Sequence, residues 1–382
     1  MAKIMEIIAK ETKGKSYQTY KYSFDSIGLP SIDYDNDEKV IQWKNQGETV
    51  EHKTYISLKD EADRIIGQTP LLKYFLDGSR HVYKVDDMAY GNQVFPIVAG
   101  QVGVGCCKRV DKIMSKEHFY RDLVLVLPDK SDPEGWDKGY FKSKLQKINQ
   151  SEELQRLRLE FSEILTYKTS KNATERVKLE DLAIAKVQDY MIDCEKKMVE
   201  QLVRDKKLGQ YGYLLKDGSL EYMQTGREDP RSLQRIKNNY RWVIGVSKSF
   251  NPETIKDHTG KPNANYIAEL PLYHRTPVAR YRNSYSGDVE FAVWYIRLRD
   301  KRQTHTPFDG VVKVEKILMD REMKYGIESD DVDLISANIL NERNPTCYGT
   351  DKRWANHLYP VYLTETFVKS NYINTNTFLH LF

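Results

Sequence analysis

Three consecutive runs between residues 71 and 129 constrain this chain most. LLKYFLD, VFPIVAGQVGVGCC and RDLVLVLPD are each rich in branched and aromatic residues and are separated by polar or turn-forming stretches. Such side chains favour an extended backbone, and three runs joined by modest connections predict an antiparallel meander. The period then changes. Over about residues 136–207 the segments SEELQRLRLEFSEIL and RVKLEDLAIAKVQDYMIDCEKKMVEQLVRD place apolar residues three and four apart, as amphipathic helices do. Strand character returns in YGYLL (211–215), in RWVIGVSKS after a short helical piece around SLQRIKNN, and in FAVWYIRLRD, while GVVKVEKIL reads as a strand or a short helix.

Strands on both sides of a helical block predict an α/β chain with helices covering a sheet. Residues 1–66, closed by DRIIGQTP, read as an N-terminal elaboration. Residues 67–382 read as one domain, with a helical insertion at about 136–207 and a C-terminal helical and loop region at about 329–382. The apolar tail NTFLHLF is suited to packing on the core or on a partner.

With 40% hydrophobic and 30% charged residues, the chain can bury a large core, so disorder is not expected. Its 59 Lys and Arg against 55 Asp and Glu leave a net charge of only +4, so a nucleic-acid role must rest on local clusters. Cys106 and Cys107 are adjacent and Cys194 and Cys347 isolated, without the spacing of a zinc site; they read as buried thiols in a reducing compartment. The N-terminal apolar stretch is too short and too charged for a signal segment, and no window approaches a membrane span, so a cytoplasmic protein that needs no membrane is expected.

The triplet DGS occurs twice, at Asp77-Gly78-Ser79 and at Asp217-Gly218-Ser219, each time directly after an apolar strand-like run. A DG pair alone is a common turn. An aspartate on the last residue of a buried strand, however, has its carboxylate fixed by a rigid scaffold, while the glycine leaves room for a phosphate or a metal-bound water. Two such carboxylates, with a third from a nearby helix, suit one or two Mg²⁺ or Mn²⁺ ions.

Four motifs in order, FLDGSR, a helix ending EKKMVEQL, YLLKDGSL and VIGVSKS, resemble the NurA family of nucleases, over roughly residues 71–250. The resemblance implies an RNase H-like mixed sheet flanked by helices, with N-terminal and internal elaborations. It also implies metal-dependent hydrolysis of DNA in end processing or defence against phage, a homodimer, and a HerA-type hexameric ATPase as partner. Carried over by position, Asp77 and Asp217 fall on the family's metal-binding aspartates. Glu195 and Glu200 are the candidates for its helix glutamate; Met191, Glu195, Met198 and Leu202 share one helical face, which favours Glu195 as the inward-pointing one. Lys248, in GVSKS, is suited to neutralising a phosphate. The family's C-terminal Tyr-Pro segment corresponds to Tyr359 and Pro360, but the histidine that follows it there is absent here. Glu365 inside the segment and His357 just before it are the candidates to replace it, with Glu365 better suited to bind a second metal ion directly.

The expected set is therefore Asp77, Glu195, Asp217, Lys248 and Tyr359 for catalysis, and Asp77, Glu195, Asp217 and Glu365 for Mn²⁺ or Mg²⁺. Arg80 and Lys248, with Arg275, Arg280 and Arg282 in the aromatic and basic run YHRTPVARYRNSY, are the expected DNA contacts. AGQVGVGCCKR resembles a phosphate loop, but a cysteine stands where that motif needs lysine, and it reads as a glycine-containing strand bend. The alternative to a nuclease is a domain that keeps the fold but only binds DNA or regulates the motor. Metal–carboxylate chemistry by itself does not distinguish DNA from RNA.

Overall fold

In the computed structural model the described residues are 4–26, 41–42, 47–132, 138–169, 178–220, 230–256, 261–282, 289–343 and 352–382. The three N-terminal runs form the expected meander: β1 (Leu72–Tyr90), β2 (Gln93–Val110) and β3 (Ile113–Pro128) pair antiparallel in sequence order. They extend well beyond the apolar runs that announced them. β4 (Phe161–Tyr167) adds parallel to β3. On the other side of β1 lie β5 (Tyr213–Asp217), parallel to β1, and β6 (Val243–Ser247), parallel to β5. The order β3-β2-β1-β5-β6, with only β2 antiparallel to its neighbours at the centre, is that of an RNase H-like fold. β8 (Val311–Ile317), a strand and not a helix, and β7 (Glu290–Arg297) continue the sheet antiparallel beyond β6. The N-terminal residues are woven into this sheet, since Lys15–Ser16 and Tyr22–Ser23 pair with the far half of β1.

One layer lies on each face of the sheet. Helix α1 (Leu179–Arg204) buries Val187, Met191, Cys194, Met198 and Leu202, spaced three and four apart, against Leu76, Val102, Val104 and Val124. Helix α2 (Ser329–Asn341) covers the opposite face with Val332, Ile335 and Ile339 against Trp294, Val312 and Val314. Helix α3 (Tyr359–Ser370) packs on that same face. The tail packs on the core: Phe378, Leu381 and Phe382 are buried with Ile4, Ile8, Tyr83 and Phe161.

One expectation needs correction. The helix read over SEELQRLRLEFSEIL ends at Leu157, where Arg158 adopts a left-handed conformation (φ 53°), and Phe161 begins β4. The apolar spacing misled because β4 carries a bulge: Leu123 pairs with Phe161 but Val124 with Glu163, so one extra residue places Phe161 and Ile164 on the same side. A strand with a bulge thus imitates the spacing of a helix.

Cys106, Cys107 and Cys194 are buried free thiols, as read; Cys347 and the end of the basic run at Tyr285 lie outside the described residues. Among the described residues no helix is long and apolar enough to cross a membrane.

Candidate metal centre

Asp77 is not the last residue of its strand, as the apolar run suggested, but lies within a strand that continues to Tyr90. What ends beside it is the neighbour: the parallel pairing of β1 with β5 stops at Leu76 opposite Lys216. Asp77 therefore still stands where the parallel part of the sheet gives out. Asp217 is the last residue of β5, and Gly218 follows with φ +85°, a backbone that side chains disfavour.

That second turn is held by a residue the motif reading missed. The Glu315 carboxylate, from β8, accepts from the Ser219 hydroxyl and the Leu220 N–H at 2.7 Å each and pairs with Lys313 at 2.7 Å, all buried. The only trace of it in the sequence is a charged pair inside the apolar alternation VVKVEKI. Glu315→Ala strands a buried lysine and two donors, so a stability loss of about 3–5 kcal/mol is expected in urea unfolding.

The third carboxylate arrives from the other end of the chain. Along β2, Gln101, Gly103 and Gly105 point to one face and Gly100, Val102 and Val104 to the other. On the first face the Gln101 amide accepts from the Ile373 N–H at 2.9 Å and donates to the Ile373 carbonyl at 3.0 Å, pinning the segment after α3. A Cβ on Gly103 or Gly105 would lie 2.7 or 2.6 Å from Val368, so these glycines let α3 rest on the strand backbone. On the other face a Cβ at Gly100 would lie 2.8 Å from Val187 of α1. AGQVGVG is thus neither phosphate loop nor bend, but a strand thinned for close helix approach on both sides.

Gly105 is the register partner of Asp77, and Glu365 lies on α3 one turn before Val368. Asp77, Asp217 and Glu365 consequently meet, offering one carboxylate oxygen each within 4.8 Å of one another. The Lys248 ammonium enters the group, 2.8 Å from Asp217 and 3.5 Å from Glu365. Asn356 fixes its backbone by donating to the Lys248 carbonyl at 2.6 Å. Burial, and then the charge of Asp217, hold the Asp77 carboxyl well above the usual carboxylate range. Lys248 is held above the usual lysine range, because the three carboxylates outweigh its own burial.

Glu195 is buried, as its helical face predicted, while Glu200 is exposed. Glu195 is not in the group of three. Its carboxylate pairs with Lys216 at 2.9 Å and lies against Gly78, where an added Cβ would come within 2.3 Å of it. Burial raises its proton affinity, and Lys216 opposes that.

Other expected residues lie elsewhere. Arg275 is fully buried and paired with Glu48 at 2.8 Å and Asp333 at 2.5 Å, so it cannot be a DNA contact; it ties the N-terminal segment to α2. Arg280 is likewise engaged, donating to Glu290 and to the Met323 carbonyl at 2.5 Å each. The alternation of basic and aromatic residues there reflects a strand between a core and carboxylate partners. Arg282 is exposed at the strand's end, and Arg80 reaches the α1 side to Gln188 at 2.5 Å. Tyr359 opens α3 about 9 Å along its axis from Glu365, half exposed and outside the carboxylate group, which gives its expected catalytic role no support. His357 is buried just before α3 with its ring 6.0 Å from Tyr362, and it too lies outside that group.

No family model matches the chain, and neither does any curated protein. Among solved structures it is similar to the NurA nuclease from Sulfolobus solfataricus at 12% identity and a TM-score of 0.38, covering 81% of this chain and 85% of that one.

Proposed function

We propose that the chain is a metal-dependent nuclease that hydrolyses phosphodiester bonds of DNA at Asp77, Asp217, Glu365 and Lys248. The observation that carries this reading is the convergence of three carboxylates from two strands and a helix within 4.8 Å. Such a donor set suits a hard divalent cation, Mn²⁺ or Mg²⁺, and it gathers three carboxylates around the single Lys248 ammonium. When bound, the ion would supply a polarised water and charge to offset that developing on the phosphate. Lys248, protonated and held by Asp217 and Glu365, is placed to meet a phosphate oxygen. Arg282 and Arg80 are the remaining candidates for backbone contacts.

Labelled single-stranded DNA, duplex DNA and RNA incubated with the purified chain test this. Cleavage of DNA with Mn²⁺ or Mg²⁺, stopped by chelator, is the expected result. DNA binding without cleavage under any ion would instead favour a regulatory scaffold, in which Lys248 serves as the permanent counterion of the three carboxylates.

The order of the four motifs also supports a homodimer that docks on a HerA-type hexameric ATPase, in end processing or phage defence, and the buried free thiols suit a reducing, cytoplasmic setting. Solution mass alone and with such an ATPase would test the assembly.

A further inference from the structure

We infer that Lys216 takes the place of a second cation beside this centre, so that the chain binds one divalent ion, through Asp77, Asp217 and Glu365, and not two. The inference rests on the metal-dependent reading above. Lys216 and Asp217 are consecutive on β5, and strand alternation sends their side chains to opposite faces. Asp217 joins Glu365 on the α3 side, while Lys216 reaches Glu195 on the α1 side.

The Lys216 ammonium lies 2.9 Å from Glu195 and donates to the Asp217 carbonyl at 2.9 Å, with side chains 7% and 5% exposed for Lys216 and Glu195. Glu195 is wedged between that ammonium and the backbone of Gly78, directly after Asp77. The Glu195 carboxylate is therefore already neutralised from within the chain. A divalent ion drawing on Glu195 would have to expel a buried ammonium or sit beside it, and like charges so close in a weakly screened interior repel strongly. A lysine differs from an ion in two ways: it cannot leave, and it offers no open position to water or phosphate. Glu195 then positions the two DGS segments through Lys216 and Gly78 and is not itself a ligand.

Mn²⁺ titration of the full chain, by calorimetry and by the electron paramagnetic resonance of unbound Mn²⁺, tests this without measuring cleavage. One ion per chain is expected for the native sequence and for Glu195→Gln, and none for Asp217→Asn. Lys216→Met should raise the count to two, and the double variant Lys216→Met with Glu195→Gln should return it to one. The double variant assigns any second site to Glu195; should Lys216→Met misfold, Lys216→Gln, whose neutral amide can still hydrogen-bond Glu195, repeats the test with two ions expected and one overturning the inference, and circular dichroism would report which variants fold. Two ions on the native chain, one of them lost in Glu195→Gln, would overturn the inference, as would a folded Lys216→Met that still binds one. No ion on the native chain would overturn the metal-dependent reading itself, a distinct outcome.

Discussion

Asp77→Asn is expected to lower divalent-ion-dependent DNA cleavage by about 10³-fold, on the basis that a bound metal contributes several kcal/mol to the transition state and each ~1.4 kcal/mol is a factor of ten. The same change should not destabilise the ion-free protein. Burial and Asp217 raise the Asp77 carboxyl above its ordinary value near 3.8, so the folded chain holds this proton more tightly than the unfolded one. From this group, stability falls as pH rises through 3.8 towards the raised value, and the cost stays in place at neutral pH. Asparagine carries no charge and removes it. Thermal unfolding in chelator at neutral pH should therefore show a variant at least as stable as the native chain. Undiminished cleavage would remove Asp77 from the centre, and joint loss of stability and activity would make its role structural.

Gly105→Val should damage both the fold and the centre. Valine suits a strand better than glycine by about 1 kcal/mol, but its branches must enter a space where a Cβ alone would lie 2.6 Å from Val368. Overpacking of that kind costs about 3 kcal/mol, so the net loss is about 2 kcal/mol. The strain is relieved only if α3 lifts from β2, which carries Glu365 away from Asp77 and Asp217. Mn²⁺ affinity should then fall by about tenfold, the scale of losses when a ligand's support is disturbed. Urea unfolding and Mn²⁺ titration measure the two effects. A variant unchanged in both would show that α3 does not bear on that glycine.

Much of the centre was legible because its information is local. A carboxylate after an apolar run, followed by glycine, marks a chain that leaves a rigid strand; this holds at Asp217, while at Asp77 the rule picked out the residue although its strand runs on to Tyr90, and Lys248 was located by its place after another apolar run. The three-and-four spacing around Glu195 placed it inside because a helix repeats its faces regardless of what packs on them. The same local reading failed at β4, where a bulge changed the strand's period, and at Arg275, where a basic residue among aromatics proved to be buried beside Glu48.

The sequence alone determined most of the strands and the long helix α1, that the chain is α/β, and which two aspartates end up at the head of the sheet, because alternation and turn chemistry act between near neighbours. Only the tertiary structure decided who joins them. That of the two further candidates, Glu195 and Glu365, it is Glu365 that completes the group, that Lys216 claims Glu195, and that Glu315 holds the second turn all depend on residues from distant parts of the chain brought together by sheet order and by glycines thin enough for α3 to approach. Such pairings carry no signature in spacing, since they are set by which faces meet when the sheet closes between its two helical layers.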